Sequence, residues 1–125
     1  MNFGYVIVYV DDVVSAVSFY EKAFGLAVRF VHESKMYAEL ETGATALAFA
    51  HDSMLEMHTG EISVKGEKKG FEIALTTADV ETAFAVAVAA GAVEVKRPSV
   101  MPWGQKVAYV RDPFGTLVEI CTPMR

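Results

Sequence analysis

The sequence predicts an α+β fold in which two β-α-β-β-β modules build a cupped mixed sheet. Three observations predict it. Each half opens with a short β-branched and aromatic run followed by a helical pattern. Three extended segments follow each helix. The landmarks of the first half then recur in the second after a shift of about 67 residues, so that Asp12-Val13…Ala16 matches Asp79-Val80…Ala83. An isolated module leaves one sheet face bare, and two modules can cover each other's faces, which gives the duplication a physical reason.

In the first half, Tyr5–Val10 is β-branched and aromatic throughout and reads as a strand. Asp11 and Asp12 follow, and either can cap a helix by accepting backbone N–H bonds at its positive end. Val13, Ala16, Val17, Phe19, Tyr20 and Phe24 recur at spacings of three and four, giving one buried stripe. Gly25 stops the helix. Extended segments are expected at about 27–33, 36–41 and 45–50, with a turn at Glu41-Thr42-Gly43-Ala44. Residues 51–70 mix polar residues, glycines and charges and read as the linker, with a short helix near Ser53–Met57.

The second half repeats the plan. Phe71–Thr76 is a strand, Asp79 caps a helix over about 80–90, and Gly91 ends it. Extended segments are expected at about 93–97, 106–111 and 116–121. Asp112-Pro113-Phe114-Gly115 makes the tight turn between the last two. The organisation is therefore one domain over 1–125, with module 1 at about 1–52, a linker at about 53–69 and module 2 at about 70–125.

Composition narrows the function classes. A chain of 125 residues that is 53% hydrophobic, with mean hydropathy +0.30, has enough apolar material for one core. Its net charge is −5 and its pI about 5.1. Nucleic-acid binding needs a basic face. The nearest thing, Lys65 to Lys69, is interrupted by Glu67 and reads as a solvated loop. The apolar start ends at Asp11 without a basic leader, so it reads as a strand and not a secretory signal. No apolar run reaches the roughly 18 residues of a membrane span. Cys121 is the only cysteine. It excludes an internal disulfide and suits a reducing cytoplasm.

Several residues together resemble the vicinal oxygen chelate superfamily, which includes glyoxalase I, extradiol dioxygenases, and fosfomycin- and bleomycin-resistance proteins. In the first half these are Val10-Asp11-Asp12, Phe19-Tyr20 and Phe24-Gly25-Leu26. In the second they are Asp79-Val80, Ala89-Ala90-Gly91-Ala92, Pro102-Trp103-Gly104 and Asp112-Pro113-Phe114-Gly115-Thr116-Leu117-Val118-Glu119-Ile120. The resemblance covers nearly the whole chain and implies the glyoxalase/bleomycin-resistance fold. Fold alone fixes no reaction, because the superfamily spans many chemistries.

The resemblance also implies where a divalent metal would be held: the first and last strands of each half, by His, Glu or Gln. Those positions fall on Tyr5, on Ala48 (or Leu47 if the register slips by one), on Glu72 and on Glu119. Two carboxylates remain, while a phenol and a methyl group replace the other ligands, so the metal cup is incomplete. His32, His51 and His58 show no metal-ligand spacing. Strand alternation puts Val107, Tyr109 and Arg111 on one face of their strand and Lys106, Ala108 and Val110 on the other. By resemblance the Tyr109 face lines the cavity, with Trp103 closing one side.

The expected reading is a cytoplasmic, metal-independent small-molecule binding protein with no cofactor. It would act as a homodimer and hold an aromatic or cationic ligand with Tyr5, Glu72, Trp103, Tyr109 and Glu119. Neither nucleic acid nor membrane is an expected partner. The alternative is a glyoxalase-like lyase or a dioxygenase with an atypical divalent metal ion on Glu72 and Glu119. The sequence leaves open the ligand's identity, whether a reaction is catalysed, and whether modules pair within one chain or between two.

Overall fold

A computed structural model describes residues 1–62 and 70–124, and the Lys65–Lys69 stretch lies outside them. The elements in chain order are β1 (Tyr5–Val10), α1 (Val13–Phe24), β2 (Val28–Val31), β3 (Tyr37–Leu40), β4 (Ala46–His51), α2 (Asp52–Thr59), β5 (Glu72–Thr76), α3 (Val80–Ala89), β6 (Val93–Val100), β7 (Lys106–Arg111) and β8 (Leu117–Cys121). They gather into two compact units, one around β1–β4 and one around β5–β8. The α+β class and the two β-α-β-β-β modules are as the sequence predicts. The mixed sheet is two separate four-stranded mixed sheets, in the orders β1-β4-β3-β2 and β5-β8-β7-β6.

In the first unit β1 runs parallel to β4, while β4, β3 and β2 form an antiparallel meander. Val8 lies beside Phe49, and Phe49 beside Ala38, so one lateral row of side chains shares a face. That face packs under α1. The Tyr20 and Phe49 rings meet at a centroid distance of 4.9 Å, and both residues are fully buried. Asp12, rather than Asp11, caps α1 by accepting from Ser15 N at 3.0 Å. Gly25 ends the helix with φ +66°, a left-handed conformation that a side chain disfavours, and its N–H returns to Glu21 O at 3.0 Å.

The second unit repeats this arrangement. β5 is parallel to β8, and β8, β7 and β6 are antiparallel. Val118, Ile120, Ala108 and Val110 are buried on the face under α3. Asp79 caps α3 through Thr82 N at 3.1 Å. The Asp112–Gly115 turn is tied by its own first residue. The Asp112 carboxylate is buried and accepts from Phe114 N at 2.9 Å and Thr116 N at 2.8 Å. Gly115 takes φ +93°.

Boundaries differ from the sequence reading where edges decide them. β6 runs to Val100, through Pro98, instead of stopping at Arg97. It is an edge strand, so a residue without an N–H costs no sheet hydrogen bond if that position faces outward. Two register shifts along β6 also blunt this edge against pairing with another chain. The short helix in the linker is real and longer than expected, at Asp52–Thr59.

The core of the first unit gives a direct test. Truncating Phe49 removes the partner of Tyr20 at a fully buried site, so Phe49→Ala should lower unfolding stability by about 3–5 kcal/mol in urea titrations of the whole chain.

Candidate functional site

Helices cover one face of each sheet, so alternation along the strands dictates what stands on the other. On β8 the core face takes Val118 and Ile120, which leaves Leu117, Glu119 and Cys121 on the opposite face. Pairing then fixes their neighbours. Glu119 lies beside Ala74 of β5 and Tyr109 of β7, and Leu117 lies beside Glu72 and Arg111. The register puts Val107, Tyr109 and Arg111 on the same face as Cys121, Glu119 and Leu117. Glu72, Tyr109 and Glu119 share one sheet face within the second unit.

Two of these groups are bonded to each other. Tyr109 OH donates to Glu119 Oε1 at 3.2 Å. Glu72, beside Leu117, stands on the same face as Glu119, beside Ala74. Hydrogen bonding to the Glu119 side chain is the main reason the Glu72 carboxyl keeps its proton to higher pH than usual. Desolvation and the negative charge of Glu119 add to the effect. Cys121, two residues along the same strand, donates from Sγ to Leu75 O at 3.9 Å. It is only 3% exposed, and burial, reinforced by the carboxylate, pushes its thiol up to about 11. Burial and the same two carboxyls push the Tyr109 phenol up to about 12. The cluster thus sets two carboxyls, a phenol and a thiol on one sheet face.

Of the other two expected residues, Trp103 lies in the turn between β6 and β7, is 64% exposed, and donates from Nε1 to Gln105 Oε1 at 2.9 Å. Tyr5 belongs to the first unit and is 56% exposed on the face of its sheet away from α1. The register also settles the first-sheet metal position. Ala48 lies beside Ile7 and Glu39 on this open face, whereas Leu47 points to the core side.

The sequence reading missed a second polar cluster on the first sheet. Glu39 is only 8% exposed and lies beside Ala48, as Tyr109 lies beside Glu119 in the second unit. It accepts from Tyr37 OH at 2.7 Å and from Arg29 Nη1 at 3.2 Å. Arg29 also grips Glu41 with two bonds, at 2.8 and 2.9 Å, and donates to Gly43 O. Alternation in Tyr37-Ala38-Glu39 was the available signal for Tyr37 and Glu39. Cys121 was equally available as the residue two beyond Glu119.

A family model for the glyoxalase/bleomycin resistance protein/dioxygenase superfamily matches residues 2–120. The chain belongs to that superfamily. A superfamily enzyme from Burkholderia phytofirmans PsJN is 25% identical over 98% of both chains, with a TM-score of 0.87. TioX from Micromonospora sp. ML1 is also 25% identical over 98% of both chains, with a TM-score of 0.74. A glyoxalase-related enzyme from Fulvimarina pelagi shares the fold at 21% identity and a TM-score of 0.85, over 98% of this chain and 88% of its own. No curated protein matches.

Superfamily membership raises the question of a divalent metal. The positions that the resemblance implies carry Glu72 and Glu119 on the second sheet and Tyr5 and Ala48 on the first. On the first sheet Tyr5 offers only a phenol, and Ala48 has no donor atom. Among the described residues no three His, Cys, Asp or Glu side chains gather into a metal-ligand set. These donors do not fit a resident divalent ion.

The carboxyl pair has a signature in stability. A proton held more tightly in the folded chain than in the unfolded one stabilises the fold in acid, and that contribution fades as pH rises from the ordinary value of 4.5 through the raised one. Glu72→Gln keeps a donor facing Glu119 and removes the ionisation. The variant should match the parent at about pH 4 and melt at a slightly higher temperature at about pH 8. Thermal unfolding followed by circular dichroism at both pH values checks this.

Proposed function

We propose that this chain is a metal-independent small-molecule binding protein of the glyoxalase/bleomycin-resistance type. Its ligand carries an amine or other cationic group beside a planar surface. The observation that carries this reading is the placement of Glu72, Glu119 and Tyr109 on one sheet face, opposite the face packed under α3, with Tyr109 OH bonded to Glu119. Two carboxyls side by side are unfavourable unless protonated, hydrated or neutralised by a cation. A cationic ligand group meets both carboxyls of the pair and relieves their repulsion. Tyr109 holds Glu119 in place through its hydroxyl and contributes an aromatic ring. Trp103 contributes exposed indole surface with its N–H already engaged by Gln105. Tyr5 offers a comparable ring on the first sheet.

The single cysteine suits a cytoplasmic location, and the resemblance supports a homodimer. No helix of the described residues is long and apolar enough to cross a membrane. A lyase or dioxygenase reading draws support from the relatives described as enzymes. It calls for a metal that orients adjacent substrate oxygens, and two carboxyls with no third donor beside them are the poorer basis for that.

Trp103 is the only tryptophan, so its fluorescence gives a single-site signal for ligand binding to this chain. Titration with a panel of planar amines, before and after chelator treatment, should give saturable quenching that the chelator leaves unchanged. Glu119→Gln should weaken binding about 10- to 100-fold, the scale of a charged hydrogen bond. A response that requires added divalent metal, or no saturable response to any amine, overturns the proposal.

A further inference from the structure

The sequence contains the pattern His-acid-Ser twice, as His32-Glu33-Ser34 just after β2 and as His51-Asp52-Ser53 at the end of β4. Both adopt the same geometry. The ring Nδ1 lies 2.8 Å from the serine Oγ and 3.1 Å from the serine backbone N. A backbone N–H can only donate, so Nδ1 must be unprotonated, and the neutral ring carries its hydrogen on Nε2. At His32 the arrangement closes a turn, with Met36 N donating to Ser34 Oγ at 3.2 Å. At His51 it caps a helix: His51 is the N-cap of α2, and its ring accepts where an Asp or Ser side chain usually would.

A carboxylate or hydroxyl cap keeps its acceptor as the medium is acidified towards pH 6, whereas an imidazole loses it on gaining a proton. The surroundings of His51 give the protonated ring another partner. Val10 lies beside His51 across the parallel β1–β4 pair, so β1 ends at the same level. Asp12, two residues beyond Val10, caps α1 and interacts favourably with His51 charge. The charged groups on the flanking segments are Asp11 and Asp12 after β1, Asp52 and Glu56 on α2, and Glu33 and Lys35 in the turn before Met36, whose carbonyl accepts from His51 N at 2.9 Å. β1 and the rest of β4, the strands packed against α2, carry no charged side chain. An imidazolium here is therefore attracted by carboxylates on both sides and repelled by the N–H groups of the α2 terminus.

We propose that His51 is a proton-operated helix cap: neutral, it holds the first turn of α2 through Ser53, and protonated, it leaves Ser53 and turns to Asp12, the cap of α1. One proton thereby links the starts of the two helices that follow neighbouring parallel strands. The device depends on the geometry of the first unit and is independent of the ligand proposed for the second.

Amide NMR of the whole labelled chain, titrated from about pH 7.5 to about pH 5, tests it. The Ser53 amide proton should move upfield in step with the His51 ring signals, and the Ser15 amide, bonded to Asp12, should shift at the same midpoint. In His51→Asn, whose cap does not titrate, Ser53 should stay fixed while Ser34 still follows His32. A Ser53 amide that ignores the titration of His51, or that still moves in His51→Asn, overturns the cap. A Ser53 shift without a Ser15 response overturns the transfer to Asp12.

Discussion

Each sheet of this protein buries one face under helix, and that constraint organises everything else. With a side-chain period of two, burying Val118 and Ile120 under α3 obliges Leu117, Glu119 and Cys121 to face the other way. Slipping β8 by one residue would press a carboxylate against α3 and expose two core residues. The Asp112–Gly115 turn guards against that slip. Its buried carboxylate takes two backbone N–H groups and sets where β8 begins. The placement of Glu119 beside Tyr109 is thus a consequence of turn chemistry several residues away.

Most of this was legible because the signals are local. Asp12, Gly25 and Asp79 mark helix ends by capping and backbone conformation, and neither needs tertiary information. The shared face of Glu72, Tyr109 and Glu119 followed from alternation within single strands together with the superfamily resemblance. The features that escaped depend on partners distant in sequence or on position in a sheet. Arg29 reaches Glu39 and Glu41 only because β2 and β3 are antiparallel neighbours. Pro98 sits within β6 because that strand is an edge. His51 acts as a cap because β4 runs directly into α2, and a histidine is not a residue that ordinarily announces a helix start.

The two open faces show how one scaffold can carry opposite electrostatics. Both place a polar residue on the third strand of the module beside the central residue of the fourth: Glu39 beside Ala48, and Tyr109 beside Glu119. On the first sheet the carboxylate is nearly buried, and Arg29 neutralises it. Arg29 in turn satisfies Glu41 and Gly43 O, which makes a closed network whose donors and acceptors are committed to one another. Removing one member would leave a charge stranded, so its role is to fix β2 against β3.

On the second sheet the carboxyls have no such cation. Among the described residues no Lys or Arg bonds to Glu72 or Glu119, and Arg111, on the same face, donates to Gly115 O instead. The repulsion between them raises the proton affinity of Glu72, and a cationic partner could relieve it without breaking any bond of the framework. An arginine is built into the framework and cannot be displaced without breaking β2 from β3. This difference in exchangeability, more than the number of carboxylates on each face, argues that the second sheet binds a ligand and the first supports the fold.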